Sequence, residues 1–435
     1  MTHGHTSEAA ARAAHRRLII ASSLGTAIEW YDFFVYAIVA PLAFDAVFFP
    51  KLKPSIGLIV VFSTFAVGFI SRPLGGVFFG HFGDKIGRKS VLLATILIMG
   101  LSSTAIGLLP GYAAIGIWAP VLLVLLRFLQ GLAIGGESIG ALVLTMEGAP
   151  DQRRGLYASF VQAAGPLGVV GAASVVSVLG LLSHGEFMAW GWRIPFLMSF
   201  ILVAMGAYMR VSIEESSLFS QAAKQRRVPR TPIAAVLEKC KKATLIAFLV
   251  CLAETAYFYL TTIFAIGYGT KMLRMNQTVL TTAFLAANCL AFVTVPLFGA
   301  LSDRWGRRPM LIMGLIGASI YVYPFFLILS GRNPWFVSVA IVASAGIVHP
   351  VIFAAEASFV PELFETEVRF TGASLGKQVG TVLGGGLAPV IATTLIGWSH
   401  GSIKPVVFYF LAMAAPALLA VFSARESAGR SLIHG

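Results

Sequence analysis

The chain has 435 residues, of which 57% are apolar and only 12% charged, and its formal net charge is +13. Soluble domains carry about 25% charged residues, so a soluble globule of this composition would be covered in exposed apolar patches, and a disordered chain is excluded by the same figures. The surplus Lys and Arg sit in short stretches between apolar runs, as in a membrane protein setting its orientation, and not on one soluble face, as nucleic-acid binding requires.

The first 17 residues are polar and include Arg12, Arg16 and Arg17. No small-residue cleavage site follows, so 1–17 is predicted as a cytoplasmic tail and not as a signal peptide. Apolar runs then predict twelve spans, at 18–46, 56–80, 90–109, 119–146, 156–182, 192–211, 243–268, 278–300, 310–330, 336–360, 371–396 and 405–424. The one long polar segment, 212–242, divides them six and six as a central cytoplasmic linker. The predicted organisation is therefore a helical bundle at 18–211, a second at 243–424 and a short cytoplasmic tail at 425–435. With twelve spans both ends lie on one side. Arg210 is counted with the central segment. Twenty-two Lys and Arg then fall on the side of the ends, against seven on the other: Lys51, Lys53, Arg193, Lys271, Arg274, Arg332 and Lys404. That asymmetry makes the side of the ends cytoplasmic. Cys240, Cys251 and Cys289 give neither a disulfide framework nor a metal spacing.

One decapeptide occurs twice. Gly80-His-Phe-Gly-Asp84-Lys-Ile-Gly-Arg88-Lys89 returns as Gly299-Ala-Leu-Ser-Asp303-Arg-Trp-Gly-Arg307-Arg308. Glu147 with Arg154 after span four returns, at nearly the same offset, as Glu362 with Arg369 after span ten. Two near-equal offsets indicate a duplicated six-span unit. Further stretches stand out: Gly25-Thr-Ala-Ile-Glu29-Trp30-Tyr31-Asp32-Phe33-Phe34, Arg72-Pro-Leu-Gly-Gly76, Arg127-Phe-Leu-Gln130-Gly131, Gly135-Gly136-Glu137, Trp190-Gly-Trp-Arg193-Ile-Pro-Phe196 and Gly384-Gly-Gly-Leu-Ala-Pro389.

With the paired loops, these stretches resemble the major facilitator superfamily over nearly the whole chain. Within it they resemble the metabolite:proton symporters, the group that includes shikimate, α-ketoglutarate, citrate and proline/betaine permeases. The resemblance implies an all-α membrane protein of twelve transmembrane helices in two pseudo-symmetric six-helix bundles. It also implies alternating-access uptake of a small organic acid with a proton across a bacterial inner membrane, by a monomer without a cofactor. A shikimate-type monocarboxylate is favoured. The alternatives are a di- or tricarboxylate such as α-ketoglutarate or citrate, a proline/betaine osmolyte, and a drug or metabolite exporter. The exporter is disfavoured because Val169 and Val170 stand where the antiporter signature after Gly165-Pro166 has Gly-Gly. No nucleophile, metal or nucleotide motif supports an enzyme.

Ionisable residues inside spans are costly and are functional candidates by default. Glu29 and Asp32 lie three apart on one helical face. The sugar-porter resemblance pairs Asp32 with Arg127, as a proton carrier and its switchable counter-ion or as a static salt bridge. Glu29 and Glu137 complete the proton-coupling candidates. For the substrate the candidates are Arg127, Gln130, Tyr36, Glu254, Tyr257, Lys377 and Gln378. Lys377, where the resemblance leads one to expect Tyr, either neutralises a substrate carboxylate or pairs with Glu254 or Glu356. Tyr257 and Thr261 line a cavity or pack a core. His349, before Pro350, either titrates or is hydrogen-bonded at a helix break. Ser138 replaces the Trp expected after Gly-Gly-Glu and would enlarge or polarise the cavity. In the paired loops, Asp84 is placed to accept from a helix N-terminus of the other half, Arg88 to pair with Glu147 and Arg307 with Glu362. Asp84, Arg88, Glu147, Arg154, Asp303, Arg307, Glu362 and Arg369 are thus a gate or, alternatively, mere orientation signals. Glycines at 376, 380 and 384, with 76/80 and 131/135, offer close helix approach.

Overall fold

The computed structural model describes residues 2–51, 54–211, 215–225, 229 and 231–431. Lys53, Arg226, Arg227 and Arg230, counted above, lie outside them, as does the side chain of Arg12. Helices match the predicted runs. In the first half they are α1 (Thr2–Phe48), α2 (Pro54–Ile86), α3 (Arg88–Leu108), α4 (Trp118–Glu147), α5 (Arg154–Leu179) and α6 (Ile194–Val211). In the second they are α7 (Lys241–Lys271), α8 (Gln277–Trp305), α9 (Arg307–Ser330), α10 (Pro334–Glu362), α11 (Arg369–Trp398) and α12 (Lys404–Ser423). Among the described residues, eleven helices are long and apolar enough to cross a membrane, and α2, 33 residues long, is the twelfth run. The predicted tail 1–17 continues α1 as helix from Thr2. The linker carries two short helices, Ser217–Lys224 and Pro232–Lys239.

The packing repeats from one half to the other. α1 packs on α5 as α7 packs on α11, and α3 packs on α6 as α9 packs on α12. The halves meet where α2 lies against α11 and α5 against α8. Small residues make these approaches possible. Gly376, Gly380 and Gly384 face α7, and Gly80 faces the backbone of Thr371 across the halves. A Cβ on Gly131 would sit 2.1 Å from the Gly68 carbonyl oxygen, and one on Gly135 2.1 Å from that of Arg72. Gly135→Val should therefore force α2 and α4 apart, at about 1–3 kcal/mol for overpacking. Gly171→Ala, whose Cβ would meet nothing nearer than 3.7 Å, should melt with the unaltered protein in detergent. Equal melting of Gly135→Val would refute the contact.

α10 is broken at its middle. Pro350 has no N–H for the Gly346 carbonyl one turn earlier. The backbone loosens to a π-turn over Ser344–Val348, and Thr294 Oγ1 of α8 donates to Gly346 O at 2.7 Å. Similar π-turns interrupt α7 at Leu260–Phe264 and α11 at Val382–Gly386. Such turns often adjoin functional sites.

Candidate functional site

Between the halves lies a cavity of about 80 Å³, room for about three waters at ~30 Å³ each. Its first-half wall is Glu29, Trp30, Phe33 and Phe34 of α1, Arg72 of α2, Ser138 of α4 and Gln162 of α5. Its second-half wall is Glu254, Thr255, Phe258 and Tyr259 of α7, His349 and Phe353 of α10, and Lys377, Gln378 and Thr381 of α11. Charge is placed on both walls. The Arg72 guanidinium stacks between the rings of Phe33 and Phe69, at 4.5 and 4.6 Å. Across from it, Lys377 Nζ lies 3.1 Å from Glu356 Oε1, and the Cys251 thiol donates to the same oxygen at 3.4 Å. His349 Nε2 and Glu254 Oε1 are 2.6 Å apart. Thr255 donates to the other Glu254 oxygen at 2.8 Å, and the His349 ring lies against Phe258 and Phe353.

Several expected residues are present here and others lie elsewhere. Glu29, Glu254, Lys377 and Gln378 line the cavity, and Lys377 takes Glu356 as its partner. Asp32, Arg127 and Gln130 form a separate network. Ser199 donates to Asp32 Oδ1 at 2.5 Å, Arg127 to Gln130 at 3.1 Å and Gln130 to Ser103 at 2.6 Å. In place of the expected direct Asp32–Arg127 pair, Asp32 is met by Ser199 of α6 and Ser103 of α3, and Arg127 by Gln130. Arg127 instead lies over the Tyr36 ring at 4.1 Å, and Tyr36 shares a 2.5 Å hydrogen bond with Thr64. Tyr257 is not in the cavity wall: its hydroxyl accepts from Ser344 at 2.9 Å and its ring packs on Phe410, since the neighbouring positions 255 and 259 take the cavity face. Glu137 is also withdrawn, in a fully buried ion pair with Arg210 and with Thr95 donating at 2.7 Å. Arg210 accordingly belongs to the buried end of α6 and not to the polar linker. Arg72 was picked out only as the start of the Arg72-Pro-Leu-Gly-Gly76 stretch; its place beside an aromatic pair could not be read from spacing.

At the face bearing the basic loops, the shared Asp, Gly and Arg positions of the repeated decapeptide each have a structural role. Asp84 accepts from the N–H groups of Phe370 and Thr371 at 3.2 and 2.8 Å, at the start of α11. Asp303 accepts from Gly155 and Leu156, both at 2.8 Å, at the start of α5. Each carboxylate thus caps a helix of the opposite half at its positive end. Arg88 holds Asp84 and Glu147 at 3.2 and 3.4 Å, and Arg307 holds Asp303 and Glu362 at 2.7 and 3.4 Å. Gly87 and Gly306 have φ of 113° and 100°, a region only glycine enters readily.

Beside these glycines is an element that sequence reading missed. Glu215, just after α6, accepts from the N–H groups of Arg88 and Lys89, both at 3.1 Å. Glu426, just after α12, accepts from those of Arg307 and Arg308 at 2.9 and 3.0 Å. Burial pushes the Glu426 carboxyl up, but the four backbone donors of Ala428, Arg307, Arg308 and Ser427 outweigh it and hold the group below the usual carboxylate range. The symmetry breaks at one point. Glu147 pairs across the halves with Arg369 at 2.7 Å, whereas Arg154 turns to Asp151 and to the Arg430 carbonyl, and Glu362 accepts from Ser427 at 2.6 Å.

Two pseudo-equivalent helical halves, a charged cavity between them and capped helix ends at one face define a membrane transporter rather than an enzyme. The chain belongs to the Major Facilitator Superfamily, which it matches over residues 22–389 and again over 275–432. It is 38% identical to the shikimate transporter of Escherichia coli (strain K12), over 91% of each chain. It is likewise 38% identical to the inner membrane metabolite transport protein YhjE of the same organism, over 96% of each. With the proline/betaine transporter of Salmonella typhimurium it shares 34% identity, covering 96% of this chain and 85% of that one. Its fold matches the proton:xylose symporter XylE bound to 6-bromo-6-deoxy-D-glucose with a TM-score of 0.81, at 14% identity, over 97% of this chain and 98% of that one.

Proposed function

We propose that the protein takes up a small organic acid together with a proton, by alternating access, across a bacterial inner membrane. The observation that carries this reading is the pair of cations, Arg72 and Lys377, on opposite walls of one cavity. A carboxylate bound between them draws the halves together, and Ser138, Gln162, Thr255, Gln378 and Thr381 supply partners for hydroxyl groups. A shikimate-type monocarboxylate meets both requirements, in keeping with the shikimate transporter among the relatives. The Asp84 and Asp303 caps, with their Arg and Glu partners, form the gate at the basic face. The charge asymmetry makes that face cytoplasmic, with both ends of the chain on it, and the protein works as a monomer.

A second reading has its own support. Trp30, Phe34, Phe258 and Phe353 stand around the same space, and aromatic faces suit a quaternary ammonium, so a betaine is the competing substrate. Uptake into proteoliposomes with an imposed pH gradient decides the matter. Labelled shikimate, α-ketoglutarate, citrate, proline and glycine betaine are compared, and gradient-driven accumulation of an acid is expected. Uptake of every acid that ignores the gradient would refute acid–proton symport.

A further inference from the structure

Coupling requires a group that can take a proton when the anion arrives, in contact with the anion's own site. Three carboxylates line or back the cavity: Glu29, Glu254 and Glu356. The cations are Arg72 and Lys377. Counting all three carboxylates as ionised and His349 as neutral, the set has one surplus negative charge, and a bound monocarboxylate adds a second. Buried charge without compensation is costly, so the anion is accepted when a proton comes with it.

The candidates differ in what a proton would do to them. Asp32 and Glu137 sit outside the cavity wall, the first behind Ser199 and the second tied to Arg210. Glu356 already holds Lys377 and the Cys251 thiol. The His349–Glu254 contact is different. At 2.6 Å one proton must lie between nitrogen and oxygen, and neutral His349 donating from Nε2 leaves Nδ1 as an acceptor. A second proton at Nδ1 keeps the Nε2–H···Oε1 bond and makes it an imidazolium–carboxylate bond, which is stronger. The other charged and titratable groups of the same cavity wall are Tyr259 of α7, Lys377 of α11, Glu29 of α1 and Arg72 of α2, with Glu356 of α10 behind Lys377.

Resting on the function proposed above, we infer that the His349–Glu254 dyad of the second half carries the coupled proton, and that Lys377 receives the substrate carboxylate beside it. The ammonium has three donors, so Lys377 adds the substrate to its bond with Glu356. One anion and one proton enter together and leave the cavity's charge unchanged. Transport of a monocarboxylate is then electroneutral: a pH gradient drives it and a membrane potential alone does not.

The test uses the reconstituted full chain with labelled shikimate, citrate, α-ketoglutarate and glycine betaine in parallel. The unaltered protein is expected to accumulate its acid about tenfold per unit of imposed pH difference, the free energy of one proton, with no accumulation from a potassium diffusion potential. His349→Gln, or Glu254→Gln should the first fail to fold, is expected to bring the acid only to equal concentrations inside and out. It should still exchange external for internal label within about tenfold of the unaltered rate. If His349→Gln and Glu254→Gln both accumulate the acid tenfold per pH unit, the inference falls and the proposed function stands. The same holds if only Glu29→Gln uncouples. If the unaltered chain accumulates none of the compounds with the gradient, both fall.

Discussion

Arg210→Met should leave little folded protein. The substitution strands Glu137, which is fully buried and ion-paired to the Arg210 guanidinium, with Thr95 as its remaining side-chain donor. It also removes the donor to the Leu92 carbonyl. Breaking a buried pair by deleting one partner costs about 3–5 kcal/mol, while replacing both partners by apolar groups of similar volume is often neutral. The double variant Glu137→Met/Arg210→Met should therefore recover most of what the single one loses. Melting temperature and monodisperse yield in detergent read the effect. A single variant as stable as the unaltered protein, or a double variant worse than the single, would contradict the ion pair as drawn.

The second large effect is on conformation. Asp84→Asn keeps the shape of the side chain but removes the charge that faces the start of α11 and that Arg88 holds. A charge-assisted hydrogen bond is worth about 1.5–3 kcal/mol, so the balance between closed and open at the basic face should move about tenfold to a hundredfold toward open. Ser374 is buried beside Gly76 at the α2–α11 contact and serves as the reporter. A Ser374→Cys thiol should react with a soluble maleimide at least tenfold faster when Asp84→Asn is also present. Asp303→Asn, which frees the start of α5, should act in the same direction. Unchanged labelling in both backgrounds would mean that these carboxylates orient the chain in the membrane without closing it.

The large features were legible because they rest on local rules. Twelve apolar runs, a repeat with near-equal offsets and the Asp84 cap follow from span length, spacing and the helix dipole. The site was legible in part. Glu29, Glu254, Lys377 and Gln378 could be singled out because charge and amide are rare inside spans. What failed was partner assignment. The sugar-porter resemblance paired Asp32 of span one with Arg127 of span four, yet Ser199 of α6 takes Asp32 and Gln130 takes Arg127. Tyr257 and Tyr259 are indistinguishable by composition, and being two apart on one helix they face nearly opposite sides, so only packing shows which one lines the cavity. Glu137 and Arg210 lie 73 positions apart and only packing joins them. Glu215 and Glu426 escaped notice because each looks like a solvated loop residue until the third helix of its half is beside it.

The unequal surroundings of the two crossing caps imply an order of events. The α2–α11 seam has the Asp84 cap and the Glu147–Arg369 bridge. The α5–α8 seam has the Asp303 cap, but its Arg154 is turned to Asp151 and the final residues of the chain. The second seam is thus held by fewer charges and should part first, so that the halves swing about the first seam like a door instead of separating in parallel. Paired spin labels across each seam would see this as a lengthening of the α5–α8 distance that precedes the α2–α11 distance.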